Sequence, residues 1–362
     1  MTNILHLKLK DHTYPIYVGK DILHQIGEYL IKEFIPSKVL VVNDASIIER
    51  YTPIVKDSLA EQGLDVNSLV IPSGEESKSL NQFSRILDTL IENQFDRNSI
   101  VIALGGGVVG DLAGFASAVY MRGIPFIQIP TTLQAQVDAS VGGKTAINHT
   151  KGKNLIGAFH QPKLVLIDVN TLESLPEMDL RAGLIEVIKM GVIRDEPLFK
   201  LVEEHLDDII ALDEKILVEM ITQACAGKAE IVSKDEKESR LRMVLNYGHT
   251  FGHALEAITE YKKYRHGEAI AIGMNCAARL AVNLDIFTES DFQRQNTLLK
   301  HAKLPGTVPK EISSEQLCTA MYHDKKVIDS TMRLILPTRI GEVVIRNDIP
   351  ESMIKDAIIQ CY

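Results

Sequence analysis

Residues 100–121 read IVIALGGGVVGDLAGFASAVYM, long and apolar enough to raise the question of a membrane span. A triple glycine and Asp111 near its middle answer it: the segment reads as a buried strand, a tight turn and a helix. Short apolar runs of the same kind recur in KVLVVND (38–44), SLVIPSGEE (68–76), FIQIPTT (126–132) and LVLIDV (164–169), each followed by a turn signal. Helical patterns such as LNQFSRILDTLIENQ (80–94) separate several of them. Buried strands alternating with helices predict a mostly parallel sheet covered on both faces. Ahead of it, Leu7 and Leu9 against Lys8 and Lys10, then Tyr14, Ile16 and Val18, alternate as a paired hairpin does.

From about residue 178 helical periodicity takes over and runs to about 325, with a late strand pair in MRLILPTRIGEVVIR (332–346). The expected organisation is an α/β domain over residues 1–170 and a mainly α-helical domain over 171–362. A cleft between two such domains is where a ligand is expected. Composition narrows the function classes. Lys+Arg number 39 against 48 Asp+Glu, a formal charge of −9, and an acidic chain without a basic block is a poor partner for nucleic acid or an anionic membrane. Any local cluster of cations then needs a local reason. Cys225, Cys276, Cys318 and Cys361 are far apart and form no CxxC pair. That argues against a disulfide framework or thiolate metal site and for a reducing, cytoplasmic setting. The opening MTNILHLKLKDHTYP lacks the apolar core of a signal peptide.

Gly105, Gly107 and Gly110 satisfy G-x-G-x-x-G directly after an apolar strand and before a helix-like run. Such a turn lets a backbone approach a pyrophosphate at a helix N-terminus. The context makes the first domain Rossmann-like, with two departures: two strands precede the turn, and no acid ends the next strand about twenty residues on. Acids stand upstream instead, Asp44 after one strand and Glu75 after the next. Carboxylates on that rim take ribose hydroxyls and repel a 2′-phosphate, which favours NAD over NADP. Taken singly, either acid also reads as an ordinary helix cap.

In the second half Glu186 sits in GLIEVIKMG among Leu184, Ile185, Val187 and Ile188, where a buried carboxylate needs a cation, either Lys189 at i+3 or a metal. Arg242, Asn246, His249 and His253 follow at spacings of four, three and four and share one helical face. The opposite face, Leu241, Val244, Leu245, Gly248, Gly252 and Leu255, then suits core packing. A solvated face is usually rich in Glu and Lys; this one suits an anion and a metal. A third histidine, His266, opens another helical run, and two histidines with one carboxylate make a catalytic zinc set. Spacing does not decide which two histidines are ligands.

Together, LGGGVVGDLAGFASAVYMRG, IPTTLQAQVDASVGGKTAINHTKGKNLIGAFHQP, AGLIEVIKMG, LNYGHTFGHALE and HGEAIAIGM resemble the 3-dehydroquinate synthase family of sugar-phosphate cyclases, over about residue 40 to the DKK at 324–326. The resemblance implies a homodimeric lyase of the shikimate pathway that uses NAD and a divalent metal, zinc or cobalt. Its substrate, 3-deoxy-D-arabino-heptulosonate 7-phosphate, carries a carboxylate and a phosphate. The reaction runs through transient oxidation, phosphate elimination, re-reduction and aldol closure. Position by position, Glu186, His249 and His266 match the metal ligands, and His253 matches an acid/base group of the reaction centre. Glu238 matches a second proton acceptor and Asp138 a buried acid of the same site. Lys144, Asn154, Lys189, Lys228, Arg242 and Asn246 match the substrate pocket, as does one of Lys325 and Lys326. Arg122 matches a substrate-binding arginine that reaches across the dimer interface. Asp44, Glu75, Lys78, Gly106, Gly107, Asp111, Thr131, Thr132, Lys153 and Ser174 correspond to NAD-contacting positions.

Departures are modest: Met178 and Asp179 before AGL, Ala139 after Asp138, Ile185 beside Glu186, and Tyr247 where a small or apolar residue is expected. Two rival readings are a cyclase acting on another sugar phosphate, such as 2-deoxy-scyllo-inosose synthase, and a metal-dependent polyol dehydrogenase. Lys228, Arg242 and Asn246 suit a carboxylate-bearing substrate and weigh against the first; the number of phosphate-ready cations weighs against the second.

Overall fold

The computed structural model describes residues 2–238, 241–322 and 332–362. It divides into two compact units, residues 1–175 with 214–237, and residues 176–213 with 238–362.

The first unit begins with an antiparallel hairpin, β1 (Asn3–Lys8) and β2 (Thr13–Gly19), in which Leu5 faces Ile16 and Leu7 faces Tyr14. Then come α1 (Ile26–Glu33), β3 (Val39–Asp44), α2 (Ile48–Glu61), β4 (Val66–Ile71), α3 (Leu80–Glu92), β5 (Ile100–Gly105), α4 (Gly107–Val119) and β6 (Phe126–Pro130). A separate hairpin, β7 (Lys144–His149) with β8 (Gly152–Phe159), precedes β9 (Val165–Asp168). The main sheet has the order β1-β2-β9-β6-β5-β3-β4, parallel except for β1. Strand residues point alternately to opposite faces, and each face has its own cover. Val39, Val41, Ile100, Ile102 and Leu104 pack with Leu30, Val55 and Leu59 of α1 and α2. Leu40, Val42, Val101 and Ala103 pack with Ile86, Leu90, Leu112 and Ala116 of α3 and α4. The tempting segment is therefore β5, a turn and α4, and no helix among the described residues is long and apolar enough to cross a membrane.

Strand order locates the ligand rim. Along β4-β3-β5-β6-β9 the sequence order is 2-1-3-4-5, the flavodoxin-like winding, and such sheets bind at the carboxyl ends where the order reverses. Here the reversal falls between β3 and β5, whose ends carry Asp44 and the glycine turn. This accounts for the two strands that precede the G-x-G-x-x-G segment.

The second unit opens with α5 (Glu177–Ile193), α6 (Glu196–Glu204) and α7 (Leu206–Ile210). The chain then returns to the first unit as α8 (Glu214–Lys234), which packs on β1 and on a π-helical turn at Ala135–Ala139. The sequence reading places residues 214–237 in the second domain and its boundary at 170; the contacts assign them to the first unit, which runs to 175. Back in the second unit follow α9 (His249–Ile258), α10 (His266–Asn283), α11 (Glu289–His301), α12 (Ser314–Tyr322), the antiparallel pair β10 (Leu334–Arg339) and β11 (Glu342–Arg346), and α13 (Glu351–Ile359).

Candidate nucleotide and metal sites

In the first unit Gly106 caps α4, and no side chain closes the cap or adds an acid to the first turn. The N–H groups of that turn are therefore available to an anion, which fits a pyrophosphate. A methyl group added at Gly110 would meet Gln128 Oε1 at 2.6 Å, so glycine there lets α4 lie close on the sheet. Asp44 accepts from the Ser46 amide and hydroxyl at 2.8 and 2.6 Å, and from the Ser73 hydroxyl, all on Oδ1, while Oδ2 is left for a ligand. Asp111 and Lys78 form an ion pair; burial pushes the Asp111 carboxyl up, against the pull of Lys78. The Thr131 amide donates to the Gly105 carbonyl at 3.0 Å, and Thr132 Oγ1 accepts from the Ala135 amide at 3.2 Å. Ser174 is less poised: its hydroxyl donates to the Thr171 carbonyl at 3.0 Å and accepts from Tyr51 at 2.9 Å.

Sequence reasoning assigned no role to Asn148, which joins several of these groups. Its side chain donates to Glu75 Oε1 at 2.7 Å and accepts from the Asn154 amide at 2.9 Å. Its own amide donates to the Lys78 carbonyl at 2.8 Å. The only signal was its place in AINHTKGKN. Asn154 takes a positive φ of 54°, and Lys144 and Lys153 lie on the same hairpin. Arg122 follows Met121 in a tight turn where both have positive φ, 68° and 49°.

The π-helical turn, closed by the Ser140 amide on the Ala135 carbonyl at 3.1 Å, carries Asp138. Buried Lys228 of α8 donates to both the Asp138 carbonyl and Oδ1 at 2.5 Å. Two expected site residues 90 positions apart thus meet because α8 returns.

In the second unit α5 buries Glu186 to 3% exposure. Lys189 pairs with Oε2, so the i+3 lysine is a partner in fact, but Oε1 is buried and accepts no hydrogen bond. His249 Nε2 and His266 Nε2 lie 3.9 and 3.8 Å from that same oxygen. The other nitrogen of each ring is engaged: His249 Nδ1 donates to the Tyr247 carbonyl at 3.1 Å, and His266 Nδ1 sits 3.3 Å from Oε2 of buried Glu256. Burial lowers the His266 pKa, but Glu256 and Glu186 outweigh it and the net shift is upward. His253 completes the cluster, since one nitrogen from each of the three histidines falls within 4.8 Å of the others. Donors around a tetrahedral ion with bonds of ~2.0–2.1 Å lie about 3.3 Å apart. The Glu186–histidine spacings exceed that by about half an ångström, so this donor set fits a divalent ion. Glu256 was missed by sequence reasoning; a carboxylate next to apolar Leu255 was the available signal.

The expected single polar helix face does not exist. Leu241–Asn246 form a 3-10 turn, and Gly248, at φ 78°, breaks the backbone before α9 begins. Arg242 is consequently buried and Leu241 exposed, the reverse of the periodic expectation. Asn246 donates to Glu238 Oε1 at 3.0 Å, so these two expected residues meet. Lys325 and Lys326 lie outside the described residues.

A doubly wound α/β unit with an open helix N-terminus, joined to a helical unit with a carboxylate–histidine cluster, is the plan of the sugar-phosphate cyclases. The chain matches 2-epi-5-epi-valiolone synthase from Streptomyces hygroscopicus with a TM-score of 0.89 and 28% identity over 98% of each chain; that structure holds NAD+ and Zn2+. It matches 2-deoxy-scyllo-inosose synthase, solved with carbaglucose-6-phosphate, NAD+ and Co2+, with a TM-score of 0.88 and 25% identity over 99% of this chain and 100% of that one. Within that class the sequence is specific. The family models for the 3-dehydroquinate synthase N-terminal and C-terminal regions match residues 68–182 and 183–327. The 3-dehydroquinate synthase of Desulforamulus reducens is 48% identical over 356 residues, 98% of this chain and 99% of that one. The chain belongs to the 3-dehydroquinate synthase family.

Proposed function

We propose that the chain converts 3-deoxy-D-arabino-heptulosonate 7-phosphate to 3-dehydroquinate and phosphate, the second step of the shikimate pathway, with NAD and zinc or cobalt as cofactors. The observation that carries this reading is the convergence of two imidazoles, each with its other nitrogen engaged, on one buried carboxylate oxygen. Glu186, His249 and His266 hold the ion. When bound, the ion supplies Lewis acidity to a substrate hydroxyl and NAD supplies a regenerable hydride acceptor.

The chain's own residues bind, orient and move protons. Arg242, Asn246, Lys189, Lys144, Asn154 and Arg122, with one of Lys325 and Lys326, hold the substrate's carboxylate and phosphate, where fixed charges act without reorganising. His253 neighbours the ligand imidazoles and handles the proton of the reacting hydroxyl. Glu238, steadied by Asn246, is a second acceptor. Lys228, itself buried, pairs with Asp138 and balances the charge of that partly exposed acid. Asp44, Glu75, Lys78, Gly106, Gly107, Asp111, Thr131, Thr132, Lys153 and Ser174 receive NAD. A homodimer is supported by side chains exposed on the first unit that a lone subunit gains nothing from exposing: Val119, Met121, Leu155, Ile156 and Phe159. A cytoplasmic setting is supported by the four buried thiols.

The fold equally supports a cyclase acting on a hexose phosphate, as the TM-score of 0.88 to 2-deoxy-scyllo-inosose synthase attests. The identity of 48% to a dehydroquinate synthase against 25% there favours the heptulosonate. The metal-loaded protein is incubated with NAD and either the heptulosonate phosphate or glucose 6-phosphate, following phosphate and NADH together. Phosphate release with dehydroquinate formation from the heptulosonate, without net NADH, is expected. Phosphate released only from the hexose phosphate, or steady NADH accumulation, overturns the reading.

A further inference from the structure

Tyr247 is 0% exposed, yet its hydroxyl is fully employed. It donates to Gln295 Oε1 at 2.8 Å, with the Met274 carbonyl a second acceptor at 3.2 Å. Gln295, also 0% exposed, donates to Asn275 Oδ1 at 3.2 Å. Asn275 in turn donates to Asn296 Oδ1 at 3.1 Å and to the Gly306 carbonyl at 3.0 Å. This buried amide chain fastens the Tyr247 ring to α10 and α11. The carbonyl of the same residue accepts the His249 Nδ1 proton at 3.1 Å.

Ring and carbonyl of one residue therefore join a rigid polar network to the tautomer and direction of the His249 imidazole. We infer that Tyr247 is a positioning residue for the metal site, its hydroxyl anchoring the carbonyl that keeps His249 Nε2 aimed at Glu186 Oε1. A phenylalanine fills the same volume, so the hydroxyl needs a reason beyond packing. Its removal strands Gln295 Oε1 and frees the Tyr247–Gly248 turn to shift. Groups that orient a metal-ligating histidine through its second nitrogen are worth about ten- to a hundredfold in metal affinity. The Tyr247 hydroxyl acts one bond further out and is expected at the low end.

The inference rests on His249 being a metal ligand, so the test includes His249→Ala. Tyr247→Phe and Gln295→Leu are compared with the parent by thermal melting of the metal-free protein, by Zn2+ affinity in chelator competition and by the visible spectrum of the Co2+ form. Gln295→Leu keeps the ring and carries the same expectation if Tyr247→Phe does not fold. A Zn2+ dissociation constant raised about tenfold, with shifted Co2+ bands, supports the inference. A lowered melting temperature with Zn2+ affinity within about twofold and unchanged bands means the hydroxyl serves packing alone, and overturns it. If His249→Ala loses metal while Tyr247→Phe binds normally, the inference alone falls. If His249→Ala binds as tightly as the parent, the ligand assignment falls and the inference with it.

Discussion

His266 is held between two buried carboxylates, Nδ1 at 3.3 Å from Glu256 Oε2 and Nε2 at 3.8 Å from Glu186 Oε1. A carboxylate on the far nitrogen fixes the ring and raises its basicity toward a cation. Glu256→Gln keeps the volume and one hydrogen bond but removes the charge. Zn2+ affinity is expected to fall about tenfold or more. Competition with a chromophoric chelator measures it, and an unaltered affinity contradicts this role.

The two histidines of α9 separate by the same kind of measurement. His249→Ala is expected to leave the purified protein short of metal. His253→Ala keeps stoichiometric metal and loses about a hundredfold or more in turnover, the usual worth of a positioned acid/base group. Metal content by elemental analysis decides, and zinc loss in His253→Ala sinks the division of labour.

Asp44 offers Oδ2 beside the glycine turn while three donors hold Oδ1. A charge-assisted bond to a ribose hydroxyl is worth ~1.5–3 kcal/mol. Asp44→Ala should therefore weaken NAD binding by roughly ten- to a hundredfold and narrow the preference over NADP. Calorimetric titration with both nucleotides tests this; equal losses for the two count against the ribose assignment.

Gly248 is committed twice, to a φ of 78° and to a close approach at which an added methyl group meets Met274 Cγ at 2.6 Å and the Met274 amide at 2.8 Å. Gly248→Ala pays both in strain and in overpacking, on the order of 3 kcal/mol together. The metal-free protein should melt several degrees lower, and a melting temperature within about one degree of the parent would falsify the argument.

Five strands of the main sheet were legible because each is a short apolar run ended by a turn, and the N-terminal hairpin because it alternates. The β7–β8 hairpin was not, since Gly152, Lys153 and Asn154 interrupt any period of two. Spacing also suggested one helix from Arg242 to His253, and there Gly248 resets the backbone in a way that residue intervals do not register. The return of α8 left no trace either: Leu217, Met220, Ile221 and Ala224 make the same apolar stripe whatever they cover. The cluster around Glu186 was legible in its residue types, because a carboxylate among isoleucines needs a cation. The Asn148 and Tyr247–Gln295–Asn275 networks join residues distant in sequence through neutral polar groups, which no periodicity marks.

Because α8 belongs to the first unit, the polypeptide crosses from one unit to the other three times, near 175, 213 and 237. Neither unit is a continuous stretch of gene. A fragment ending at residue 175 lacks the helix that covers β1 and supplies Lys228 to Asp138. The two family regions, which meet at 182 and 183, are halves of the sequence and not separable folding modules. Recombination at that boundary seats one parent's α8 on the other parent's first unit, so every such chimaera must re-form the Lys228–Asp138 pair from two parents.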